Sequence, residues 1–367
     1  MPPRRAKSHS VSSDTPPTPR SPPPPPKFPT PVKTPSRRSP PSSPVTATYH
    51  AIVEPVRKSQ MGAALRFPLV VILSFVLSSV LFSIVAEITA GDLAAISKHT
   101  ESWVEITGLL GWKVVQLAVC WFEGFDAYDT IALTLLMATP HSLLLSLFYS
   151  IRPTTIVFTT IANIISITAP FLLMRRVSPT HAPHSAPKGT VRNRYILSDP
   201  WTTIATSLLA TAIFAVLLEL SFATFLPVHL ITHFTGIRDL SVTHLGAAGL
   251  PSLLLALVPA GYAAREFLFV SSTGVPPSPG EYTFDPATAD LRQHVYHNAW
   301  GWYSSRQKEL ISRTTLLAIM VVGETIIQTW GTIKGVEFWG ATWYAAIWSI
   351  GVAVVGAVFD WVGEPSG

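Results

Sequence analysis

Lys113 stands in the middle of the apolar stretch LLGWKVVQLAVCW, with Gln116 and Cys120 three and seven positions further on, so the three share one face of a helix. Glu324 stands likewise in VVGETIIQTW, with Gln328 one turn on. Glu87 and Glu219 fall nearer the ends of two other apolar stretches. Ionisable groups in such surroundings take up, release or neutralise charge away from water. A lysine at mid-bilayer facing lipid costs at least ~2.5 kcal/mol, so Lys113 must face protein, and depth matching makes Glu324 its expected partner. A pair of this kind serves as a proton or ion relay, or as polar glue that fixes helix register.

Two histidine pairs raise the question of metal chemistry. HLITH carries His229 and His233, and HVYH carries His294 and His297. Membrane desaturases and hydroxylases use histidine boxes, but this chain has no His-His dipeptide. The two pairs are also expected on opposite sides of the membrane, where one metal centre cannot use both. No P-loop, nucleophile elbow or dinucleotide fingerprint occurs. The sequence therefore calls for no cofactor and no metal, and leans away from an enzyme.

These residues need helices to position them. The chain has 367 residues, a mean hydropathy of +0.37 and 13% charged residues, against about 25% in soluble domains. The net charge of +5 does not point to nucleic acid, because the basic residues cluster outside the apolar segments. Cys120 is the single cysteine, which excludes an intramolecular disulfide, and no Asn-X-Ser/Thr sequon exists. A bilayer needs ~20 apolar residues per helix, which gives expected spans at 65–90, 104–122, 131–150, 154–174, 202–227, 246–269, 313–333 and 338–360. The first acts as an uncleaved signal anchor, since it starts behind a long polar segment. SDPW and FDPA are helix starts, with Asp199 and Asp285 as caps before proline.

Charge asymmetry orients the spans. The first 66 residues, 175–200 and 265–313 are rich in Lys and Arg, while the other connections mostly hold one each. With eight spans and a cytoplasmic N-terminus, every basic region falls inside. The loop EGFDAYDT then also lies inside, with three acids and no base, against the trend. Trp330, Trp339 and Trp343 mark one interface and Trp361 the other. LSSVLFSIVAEIT (77–89) resembles LATAIFAVLLELS (209–221), a hint of repetition that the remaining spans do not follow. Pro140, Pro170, Pro251 and Pro259 are kink candidates. Residues 286–312 read as an amphipathic helix on the membrane surface. Ala341, Ala345, Ser349, Ala353 and Ala357 form a small-residue seam, suited to packing within the chain or to a homo-oligomer through Ala345, Ser349 and Ala353.

Residues 1–62 form a disordered Pro/Ser/Thr-rich tail, with 17 of the 33 prolines before residue 61. TPVK and TPSR place Lys33 and Arg37 three positions after Thr30 and Thr34, a pattern suited to proline-directed kinases. Thr18 precedes proline as well. RSPPPPPK, from Arg20 to Lys27, fits an SH3-type ligand.

The sequence thus describes an all-α polytopic bundle over 63–363, with cytoplasmic loops 175–200 and 270–312 and both termini cytoplasmic. Its membrane would belong to the endomembrane system, the endoplasmic reticulum first, or be the plasma membrane. Two function classes follow. One is a non-enzymatic scaffold, adaptor or membrane-shaping protein with a phosphorylatable tail. The alternative is a secondary transporter using Lys113, Glu324 and Glu219.

Overall fold

The computed structural model describes residues 63–89, 91–99, 102–276 and 289–363. The phosphorylation and SH3 readings at Thr18, Thr30, Thr34 and 20–27 lie outside these residues, as does the helix start at Asp285.

Among the described residues the protein is all-helical, with two isolated bridges and no strand. Eight helices are long and apolar enough to cross a membrane: α1 (Leu65–Ile88), α2 (Trp103–Phe122), α3 (Ala127–Leu147), α4 (Pro153–Met174), α5 (Pro200–Ala223), α6 (Leu250–Gly274), α7 (Ser305–Thr332) and α8 (Phe338–Val362). Each matches an expected span. The differences lie at the ends and have local causes. α3 starts four residues early because the Asp126 side chain accepts from the Asp129 N–H and caps it. α7 starts eight residues early because Ser304 and Gln307 make a reciprocal capping box. α5 opens as expected, with Asp199 as cap before Pro200.

The single surface helix expected over 286–312 is corrected. A short helix, Leu291–Tyr296, runs into one wide turn to Gly301, and the chain then breaks before α7. The break follows from the Ser304 cap, which diverts the backbone. Leu291, Val295 and Trp302 in this segment remain exposed. Pro251 is also no kink: it sits in the first turn of α6, where a missing N–H costs nothing. Pro140, Pro170 and Pro259 do lie inside helices.

α3 and α6 are the most enclosed helices. α3 packs on α4, α6 and α7; α5 packs on α6 and α8; α1 lies along α4, and α2 touches α1 and α7 lightly. α5 and α6 approach closely at Gly261, where a Cβ would strike the Thr211 hydroxyl. The seam on α8 divides. Ala341 and Ala345 are fully buried inside the bundle, whereas Ala353 and Ala357 are exposed. Ala345 is thus used within the chain, and only the later part of the seam stays open. The repeat hint finds no structural echo, since Phe82 is 38% exposed and its counterpart Phe214 only 2%.

The helices share two ends, a near end where α1 begins and a far end where it stops. At the far end the turns are laced by backbone hydrogen bonds: Lys98 N donates to Thr332 O, Lys334 N to Ile96 O, and Thr235 N to Gly335 O. Gly335 has φ +75°, and a Cβ there would also meet the Thr235 hydroxyl, so two constraints demand glycine.

Candidate functional site

Two buried polar clusters stand out, one at mid-depth and one at the near end. At mid-depth the Lys113 ammonium donates to Asn163 Oδ1 of α4 at 2.7 Å. The Glu324 carboxylate accepts from Trp112, from Gln116, and from Gln328 at 3.1 Å. The direct Lys113–Glu324 ion pair expected from depth is therefore replaced by two separate sets of hydrogen bonds. The depth match itself holds, since both side chains line one cavity of about 330 Å³ between α2, α3, α4 and α7. Every hydrogen bond to Glu324 is an accepted one, which suits its ionised form. Trp112 reaches Glu324 by packing across α7 at Gly323, where a Cβ would strike the indole ring.

Of the other expected residues, Gln116 joins the cluster through its bond to Glu324, while Glu87 and Glu219 lie apart. Gln116 and Cys120 are buried on the inner face of α2, as their spacing implied. Glu87 is exposed and Glu219 half-buried, and neither lines the cavity. The His229 and His233 rings lie 4.7 Å apart, tilted to one another, at the far end, where His229 bonds Gly340 O and His233 bonds Glu337. His294 and His297 belong to the near-end segment.

The near-end cluster is what sequence reasoning missed. Asp129, in the first turn of α3, is 3% exposed. Arg313 of α7 donates to its two oxygens at 2.6 and 3.4 Å, and Ser271 of α6 adds a bond at 3.1 Å. The guanidinium lies between the Phe125 and Phe267 rings, 4.9 and 5.0 Å from their centres. Asp126 accepts from Ser178 N at 2.7 Å and pairs with His181 Nδ1 at 3.0 Å. His181 comes from the loop after α4, stacks on Tyr128, and has a side chain only 1% exposed. Its Nε2 has no hydrogen-bond partner and lies 3.9 Å from Asp129. Arg175, also on that loop, donates to the carbonyls of Phe125 and Trp121.

Charge accounts for the arrangement. Burial alone would depress the His181 pKa, but the Asp126 bond and the nearby charges of Asp129, Asp126 and Glu266 raise it above its ordinary value. Burial would raise Asp126, yet its bond to His181 and two backbone N–H groups bring it below the usual carboxylate range. Asp126, Asp129 and His181 hold ligand atoms within 4.8 Å of one another, the spacing of a metal site. Arg313, shared with Glu309, lies against Asp129, and His181 lies against Asp126, so each carboxylate has a basic partner beside it. Two of the three acids that sat against the charge trend in EGFDAYDT are therefore internal groups with their own counter-charges. An Asp-x-x-Asp at a span start with an unmatched arginine, Arg313, at another span start was the available signal.

Searches among curated proteins and solved structures find no match. A family model described as the Bouquet formation protein 3 C-terminal domain matches residues 199–362, which is α5 to α8 with their connections. Both clusters straddle the edge of that region: Lys113, Asn163, Asp126, Asp129 and His181 precede it, while Glu324, Gln328, Ser271 and Arg313 lie within it.

Proposed function

We propose that the eight helices cross a bilayer and that the protein is a membrane scaffold acting in bouquet formation, without catalytic chemistry of its own. The observation that carries this reading is the family match over 199–362. The surface supports the membrane part: Ile72, Leu208, Leu255 and Ile319 are each more than half exposed on long apolar helices, which suits lipid and not water. The buried polar groups support the scaffold part. Glu324 is held by Trp112 and Gln116 of α2, and Asp129 by Arg313 of α7 and Ser271 of α6, an arrangement that fixes helix register. In this reading the basic loop 175–198, the proline-rich tail and the exposed Leu291–Trp302 segment face the cytosol at an endomembrane. The tail is the part that kinases and SH3-type partners address.

The test is genetic and needs two strains. Deleting the chain abolishes bouquet formation. A chain carrying Lys113→Met with Glu324→Gln, at matched abundance and retained in the membrane after alkaline carbonate washing, restores it. Intact bouquet formation without the chain refutes the role. Failure of the double variant at normal abundance transfers the buried charges to a transport function.

A further inference from the structure

The mid-depth cavity holds polar groups whose hydrogen-bonding capacity is unfilled. Lys113 carries three N–H groups, and one of them goes to Asn163. Nδ1 of His141, on the cavity wall, is buried without a partner. On the acceptor side both Glu324 oxygens are taken by Trp112, Gln116 and Gln328. Buried polar groups left unpaired cost free energy, and a roomy polar cavity fills with whatever completes them. An occupant that completes Lys113 must bring an acceptor oxygen, and His141 Nδ1 takes or gives a hydrogen bond according to its tautomer.

Its charge is set by the wall. Lys113 and Glu324 line the one cavity and sum to zero when both are ionised or both are neutral, so an anionic occupant would then leave a net negative charge in a low-dielectric interior, which is costly. A neutral head with a hydroxyl or carbonyl oxygen keeps the balance and offers two lone pairs to the spare N–H groups of Lys113.

Its body is set by the rest of the lining. Beyond the polar residues the wall is apolar: Leu93, Ile96, Leu145, Ile156 and Ile333, leading toward the far end. Phe82, also on the wall, is 38% exposed on α1. A second cavity of about 430 Å³ shares Phe82, Leu93, Ser97 and Thr159 with the first. The two adjoin along these residues, beside the partly exposed Phe82 of α1. We infer that this cavity binds a neutral lipid, with its single hydroxyl or carbonyl head on Lys113 and His141 and its apolar body along α1 and α4. The inference needs the chain to reside in a bilayer, which carbonate extraction tests separately, and does not need a role in bouquet formation.

The experiment uses the full chain in lipid nanodiscs. Three photoreactive, clickable probes are compared: a sterol, a monoacylglycerol and a fatty acid. One of the two neutral probes labels peptides of α3, α4 or α7, and an excess of its unlabelled parent removes the signal. Ala138→Phe, which fills the cavity from α3, and Lys113→Met each lower labelling about tenfold, the weight of a hydrogen bond to a charged group. The two neutral arms tell a sterol from a single-chain lipid. Preferential labelling by the fatty acid overturns the charge argument. Labelling confined to other helices, or unchanged by competitor, overturns the site. If neither variant accumulates, competition on the unmodified protein still decides.

Discussion

Arg313→Met removes the guanidinium that faces Asp129 while keeping much of its apolar contact with Phe125 and Phe267. Asp129 and Arg313 side chains are 4% and 13% exposed, so solvent screens the pair weakly and the loss of one partner leaves an uncompensated buried charge. Breaking such a pair costs about 3–5 kcal/mol, whereas removing both charges together is often close to neutral. The two single losses should be unequal. Without Asp129, Arg313 keeps Glu309 at 2.6 Å and the Phe267 carbonyl. Without Arg313, Asp129 keeps Ser271 and the uncommitted Nε2 of His181 at 3.9 Å. Arg313→Met is therefore the more damaging change above the His181 pKa, and acid that protonates His181 recovers part of the loss. The assay is a double-mutant cycle with Asp129→Asn, read by thermal unfolding of the full chain in detergent at two pH values. A coupling of at least about 2 kcal/mol is expected. Losses that add to within about 0.5 kcal/mol would refute the pair, and equal losses at both pH values would refute the part given to His181.

Four further outcomes follow from the same contacts. In the unmodified chain the raised His181 pKa contributes stability in full below the ordinary value of 6.5, lost as pH rises through the raised value. The lowered Asp126 pKa contributes stability above 3.8, lost as pH falls through the lowered value. Unfolding temperature should thus be highest between about 4 and 6.5 and fall on both sides, and His181→Phe should flatten the alkaline side. Gly335→Ala should cost about 1–3 kcal/mol from its positive φ alone, read as a lowered unfolding temperature. Asn163→Leu should couple to Lys113→Met more strongly than Glu324→Gln does; equal coupling would restore the direct ion pair. Cys120 is buried, so single added cysteines at Ser185 and Asp239, both exposed, should react with impermeant reagent from opposite faces, Ser185 from the cytosol; labelling of both from one face would sink the eight-span topology.

The eight helices were legible because each is a run of apolar residues of bilayer length, and burial of the backbone leaves few other options. The inward turn of Lys113, Gln116 and Cys120 was legible for the same reason, since one helical face carries all three. The partner of Lys113 was not. Asn163 is a short uncharged side chain among several threonines of its span, so depth favoured the charge at Glu324, which three neutral donors had already claimed. The near-end cluster draws on residues around 126, 181, 271 and 313, separated by whole helices, and no local pattern joins them. The surface segment before α7 was read as continuous because its apolar spacing runs on past the Ser304 cap. That cap could have been read from Ser304 and Gln307.

The lacing of the far end sets an order of events for a chain made from its N-terminus. The turn that follows α1 is among the first parts of the bundle to emerge, yet its Lys98 N–H and Ile96 carbonyl are completed by the turn between α7 and α8, among the last. Contacts so distant along the chain close late and slowly. Until the turn after α7 is in place, the earliest helices wait with an unfinished rim, the state in which quality control would meet them. A chain stopped before that turn leaves the Lys98 N–H and the Ile96 carbonyl without these partners, so the rim of the earliest helices closes only once α7 and the turn after it have arrived.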